Sequence, residues 1–136
     1  MNRLNLEIIT PERVMVRQEV DIVEAPGTLG EFGVLPGHTT FLSTLDSGEV
    51  RFQAGGATRC MATSGGYAEV FEDKVTLLLD TAEFSEEIDL SRAKKAMARA
   101  ESALQGLSMD DKEYSLSEAA LRRAVARISA ASKSLG

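Results

Sequence analysis

The 136-residue chain has no tryptophan, one cysteine, one histidine and three prolines. Each scarcity excludes something. A lone cysteine, Cys60, has no partner for an intramolecular disulfide and suits a reducing compartment. His38 and Cys60 together cannot supply a conventional zinc set, so no metal site is expected. No G-x-S-x-G occurs, Ser64 standing in "ATSGGY", and a Ser-His-Asp arrangement would have to use His38 from a turn. The glycines of "PGTLGEFGVLPGH" lack the Lys-Ser/Thr ending of a phosphate loop and the spacing of a dinucleotide fingerprint, and they read as turn residues. No acidic pair is singled out by its setting. An enzyme is therefore not expected, and no catalytic residue is assigned. No apolar run is long enough to span a bilayer, and the N-terminus has no signal-peptide core. The expectation is a soluble protein without direct membrane insertion. Basic excess is missing too: a net charge of -6 argues against a free nucleic-acid binder.

What is present is unevenly spread. Residues 1–84 hold 6 Lys and Arg against 13 Asp and Glu, a net of -7; residues 85–136 hold 9 against 8, a net of +1. The periodicity changes at the same place. Up to about Asp80 the pattern is that of strands: "RLNLEII" alternates with Leu4, Leu6 and Ile8 on one face, and "EVDIVEA", "EVRFQ", "TRCMAT", "YAEVF" and "KVTLLL" follow. Turn signals punctuate them at Pro26-Gly27, Asp46-Ser47-Gly48, Gly55-Gly56, Gly65-Gly66 and Glu72-Asp73. Many short strands at close spacing predict an antiparallel β-sandwich or barrel over residues 1–84.

From about Ser85 the spacing is helical. Leu90, Ala93, Met97, Ala100, Leu104 and Leu107 form one seam, and Tyr114, Ser117, Leu121, Ala124, Ile128, Ala131 and Leu135 form another. Gly106 and "SMDD" separate them. Ser115 with Glu118 fits a capping box, which puts the second helix start near residue 115. Residues 85–136 thus read as an antiparallel two-helix hairpin. Its alanine-rich seam lets the helices approach closely but buries little area. It should need the β domain, a ligand or a partner to stay closed.

The hairpin is also where the basic residues are. In heptad terms Arg92, Arg99, Arg123 and Arg127 fall with Asp89 on one flank of the closed pair. Arg122 has a partner in Glu118, four residues before it, whereas Arg123 is preceded by Ala119 and Ala120. Lys95 with Arg99 and Arg123 with Arg127 are like-charge pairs at i,i+4, each costing a few tenths of a kcal/mol. Three readings stay open: a solvated face, a phosphate site suited to guanidinium forks, and a basic surface for a protein partner.

With those motifs in place, the whole chain resembles the epsilon-subunit family of bacterial F-type ATP synthases. The resemblance rests on "IITPERVMV", on "GEFGVLPGHTTFL" (30–42), on "SGGYAEV" (64–70), and on "IDLSRA" (88–93), which matches the family's I-D-x-x-R-A motif. It implies a rotor-stalk subunit of the proton-translocating synthase, peripheral on the cytoplasmic face of the bacterial inner membrane. The β-sandwich would bind the gamma subunit and the c-subunit ring, with Glu31 and His38 as ring contacts. The hairpin would lie folded or extend along gamma toward the alpha/beta catalytic subunits, inhibiting ATP hydrolysis when extended. No cofactor is required, and ATP is implied as a regulatory ligand of the folded form. The family's nucleotide site would fall on Glu83, Ile88, Asp89, Arg92, Ala93, Arg99, Arg123 and Arg127, with Arg122 competing for Arg123's place. Two other readings remain, a stand-alone ATP-binding sensor module and a generic β-sandwich interaction domain.

Overall fold

A computed structural model describes residues 3–134, with side chains to residue 132. Ten strands precede two helices: β1 Leu4–Ile9, β2 Val14–Val20, β3 Ile22–Gly27, β4 Gly30–Val34, β5 Phe41–Leu45, β6 Gly48–Ala54, β7 Ala57–Thr63, β8 Gly66–Phe71, β9 Lys74–Leu79 and β10 Ala82–Phe84. A 3-10 turn, Ser85–Glu87, leads into α1 Leu90–Gln105 and α2 Lys112–Ser134. The expected sandwich followed by a helical hairpin is what forms.

The strands run in the order β10-β7-β6-β3-β5-β8-β9-β1-β2, with β4 added beside β3. The only parallel pairing in that order is β1 with β9. A single bridge, Gly27 opposite Leu45, joins the two halves, so the sheet folds over at β3–β5 and packs on itself. Alternation decides what goes inside. Leu4, Leu6, Ile8, Val50, Phe52, Val70, Val75 and Leu77 are buried in the shared core, while their sequence neighbours face outward.

Two turns show the residue chemistry at work. Glu72 and Asp73, at φ 46° and 62°, join β8 to β9 as a two-residue turn of the kind that matches strand twist. In "SGGY", a Cβ on Gly66 (φ 150°) would lie 2.0 Å from the Leu78 carbonyl oxygen, so only glycine lets β8 approach β9 there.

The structure corrects three local expectations. The stretch expected to be turn glycines contains a strand: Gly30 and Gly33 lie within β4. "EVDIVEA" is not one strand but the end of β2 and the start of β3, broken at Asp21. The second helix starts at Lys112 rather than near 115. The Ser108 N–H donates to Asp111 Oδ2 (2.9 Å) and the Asp110 N–H to Ser108 Oγ (3.3 Å), and this turn sets the helix going three residues earlier than a Ser115 cap would. Of the second seam, Leu135 lies outside the described residues.

Candidate functional site

The hairpin lies folded on the sandwich. α2 lies over β6 and β7, and α1 packs on α2. The contact is built from small residues: Ala93, Ala130 and Ala131 cluster with Cys60, Ala62 and Ile88. On α2, Ala126, Ala130 and Ala131 bury one methyl each, about 0.8 kcal/mol apiece. The larger Leu90 and Ile128 are only partly buried against the cluster. That is little for a 23-residue helix, so polar contacts at its edges weigh as much as the seam.

Two such contacts flank α2. The Arg127 guanidinium forks onto Glu83, Nε to Oε1 at 2.9 Å and Nη2 to Oε2 at 3.3 Å. On the other flank the Ser129 hydroxyl donates to Glu49. Glu49 also accepts from Arg51 Nη1 (3.4 Å) and from the Cys60 thiol (3.4 Å). Arg51 in turn gathers Glu24 (2.8 Å) and Glu31. The hydrogen bond from Arg51 holds the Glu24 carboxyl below its ordinary range, and the one to Glu24 raises the Arg51 guanidinium. The root of the hairpin is fixed separately. Arg59 lies 3.8 Å above the Phe84 ring centroid and donates to Glu86 at 2.8 Å, and that bond keeps the Glu86 carboxyl low.

The residues expected to form a nucleotide site are distributed unevenly. Glu83, Arg123 and Arg127 line one cleft of about 50 Å³ between β10 and α2, together with Thr63, Ser64 and Thr81. Arg92 and Arg99 do not line it; both are exposed on α1, and among the described residues neither forms an ion pair. Asp89 serves the backbone instead of a guanidinium: its Oδ1 accepts the Arg92 N–H at 3.0 Å and caps α1. Ile88 and Ala93 are buried in the small-residue cluster. Arg122 donates to Glu118 at 2.9 Å, the i,i+4 pair read from the sequence, and faces a different cleft of about 450 Å³ beside Pro26, Glu49 and Val125.

Glu31 and His38 are placed apart. Glu31 is the second residue of β4, opposite Pro26, whereas His38 stands four residues beyond that strand's other end at Val34. The His38 Nδ1 lies 2.7 Å from the Thr39 carbonyl, and its ring stands edge-on to Phe41.

Glu49, Arg59 and Ser129 were not singled out from the sequence. One signal was there: in "RCMAT" the residues Cys60, Met61, Ala62 and Thr63 are all buried, so β7 is covered on both faces. A half-exposed strand would have alternated.

Fold and site together define a β-sandwich protein with a helical arm seated on one outer face. The family model for the ATP synthase delta/epsilon chain β-sandwich domain matches residues 3–85, and that for its long α-helix domain matches residues 86–132. The chain belongs to the ATP synthase delta/epsilon chain family. It is 50% identical over 132 residues to the ATP synthase epsilon chain of Geobacter metallireducens, covering 97% of this chain and 96% of that one. It is 50% identical over 131 residues to the epsilon chain of Geotalea uraniireducens, covering 96% and 95%. Among solved structures, a chain of the Euglena gracilis mitochondrial ATP synthase (OSCP/F1/c-ring, rotational state 1) superposes with a TM-score of 0.82 at 24% identity. That match covers 98% of this chain and 82% of the other, a likeness of fold.

Proposed function

We propose that the protein is a central-stalk subunit of an F-type ATP synthase, non-catalytic, whose sandwich docks on the gamma subunit and the c ring and whose hairpin restrains ATP hydrolysis when it leaves the sandwich. The observation that carries this reading is a full-length family match on a chain whose hairpin is seated by methyl-sized contacts and two polar ties. An arm held so lightly can be released by a partner of modest affinity. Docking is supported by the outer face of β5, β8, β9 and β2, where Val14, Leu42, Tyr67 and Leu78 are 44–72% exposed. A sheet face turned permanently to water would be polar. Among the described residues no helix is long and apolar enough to cross a membrane, so attachment to one is proposed to run through the ring. Deleting residues 85–136 is expected to leave synthesis coupled and to raise ATP hydrolysis by the assembled enzyme; unchanged hydrolysis in membranes of the truncated strain would remove the inhibitory role.

ATP sensing is the finer part of the reading. It is supported by the side-by-side placement of Arg123 and Arg127, a pair suited to phosphate oxygens. The cleft is far smaller than the several hundred Å³ that enclose small molecules. A nucleotide would therefore seat one phosphate group between these arginines, while Arg92 and Arg99 reach over from α1. Arg123→Ala should weaken ATP binding by about tenfold or more, the value of a charge-assisted hydrogen bond, and Arg122→Ala should do much less. Titration calorimetry on the full chain decides it; an Arg122 effect larger than that of Arg123 would overturn the assignment.

A further inference from the structure

Three residues under α2 lie in one register row across three strands. Glu83 on β10 is opposite Ala62 on β7, and Ala62 is opposite Glu49 on β6. The helix above mirrors that row. Arg127 and Ser129 are two residues apart, about 200° around the helix axis, so they project from opposite flanks with Ala126 and Ala130 between them. Arg127 takes Glu83, Ser129 takes Glu49, and Ala130 packs in the cluster that holds Ala62. We propose that the Glu83–Ala62–Glu49 row is a cradle that keeps the hairpin closed on the sandwich without any ligand, a carboxylate on each side and a methyl-sized floor between.

The proposal rests on reading the hairpin as a movable arm and says what holds it. Three features point to these residues. The floor must be small, because a larger side chain at position 62 would lift α2 out of reach of both carboxylates. Only 10% of the Glu49 side chain is exposed, so that tie is sheltered from competing water, whereas the Arg127–Glu83 tie, at 27% and 38% exposed, is half-buried. α1 packs chiefly on α2, so the hairpin moves or stays as α2 does. There is a consequence for ligands: Glu83 takes Arg127 Nε and one Nη2 hydrogen, so a phosphate would use the remaining N–H groups beside a carboxylate that repels it.

The chain carries its own reporter. Cys60, the sole cysteine of the sequence, is only 5% exposed beneath α2 and becomes accessible when the hairpin lifts. The experiment measures the rate at which a thiol reagent such as 5,5′-dithiobis(2-nitrobenzoate) labels Cys60 in the full chain without nucleotide. Each rate is normalised to that of the denatured chain. Ser129→Ala and Glu83→Gln should each raise the rate about tenfold, as expected for loss of a hydrogen bond to or from a charged group. The double variant should label faster than either. Equal rates in wild type and both single variants would overturn the cradle. A wild-type rate no greater than global unfolding, followed by denaturant dependence, would instead sink the movable-arm reading, and the cradle with it.

Discussion

The two outer faces of the sandwich make opposite choices. Over β10, β7 and β6 the outward residues include the small or acidic Cys60, Ala62, Glu49 and Glu83, and the chain covers them with its own helix. Over β2, β9, β8 and β5 they include Val14, Leu78, Tyr67 and Leu42, all large, apolar and bare. The interior between the faces is one continuous core. The difference lies in what each cover must do. A face closed by a tethered helix needs little adhesive area, because the helix is always at hand. A face closed by a separate molecule must bury enough apolar surface to offset the entropy of association, and large side chains supply it.

The sharpest way to break the comparison is to put a charge on each face in turn. Tyr67→Asp or Leu78→Asp should weaken binding to purified gamma subunit by a hundredfold or more, the range of a central interface anchor, with the melting temperature within about 2 °C of wild type. Ala62→Asp on the covered face should do the reverse, keeping gamma affinity and losing hairpin protection in hydrogen exchange. Normal gamma binding by Tyr67→Asp and Leu78→Asp would show that the bare row is not the docking face.

The same contrast explains what could be read from the sequence. Alternation in "RLNLEII" and "KVTLLL" marks the core side of β1 and β9 directly, and the seam from Leu90 to Leu104 marks α1, because one buried face leaves a simple period. β4 is hidden for a local reason: Gly30, Gly33 and Gly37 are turn formers by composition, and only pairing with β3 makes the first two strand residues. The cradle was hidden for a long-range one. Glu49 and Ser129 stand 80 positions apart and each has an unremarkable surface pattern. Arg123 and Arg127 share a flank by heptad position and Glu83 is named through resemblance alone; the three are brought together in space, yet nothing in their spacing announces that Glu83 holds Arg127. Asp89 is legible as a charged member of that flank, but its role as the N-cap of α1, serving the backbone, is not.

The smallest effect separates the ion pairs of the two faces. On the bare face Arg17 donates to Glu7 at 2.8 Å with the arginine side chain 70% exposed, an arrangement that solvent and salt reduce to about 0–1 kcal/mol. On the covered side Arg51 is 25% exposed and gathers Glu24, Glu31 and Glu49. The Glu24 carboxyl is held low in the folded state by Arg51. A depressed carboxyl contributes stability that is fully present above its unfolded value and is lost as pH falls through the folded one. Glu86, held low by Arg59, acts in the same direction. The wild-type melting temperature should therefore fall by a few degrees as pH drops below about 5. In Arg51→Gln the neutral-pH value should already be lower, and its further fall on acidification should be shallower, because Glu24 has lost the partner that lowers it. Arg17→Gln should stay within about 0.5 kcal/mol of wild type. A thermal-melt series from pH 7 to 3 on the three proteins reads all of this, and an acid-induced fall as steep in Arg51→Gln as in wild type would show that the Arg51 cluster is not what titrates.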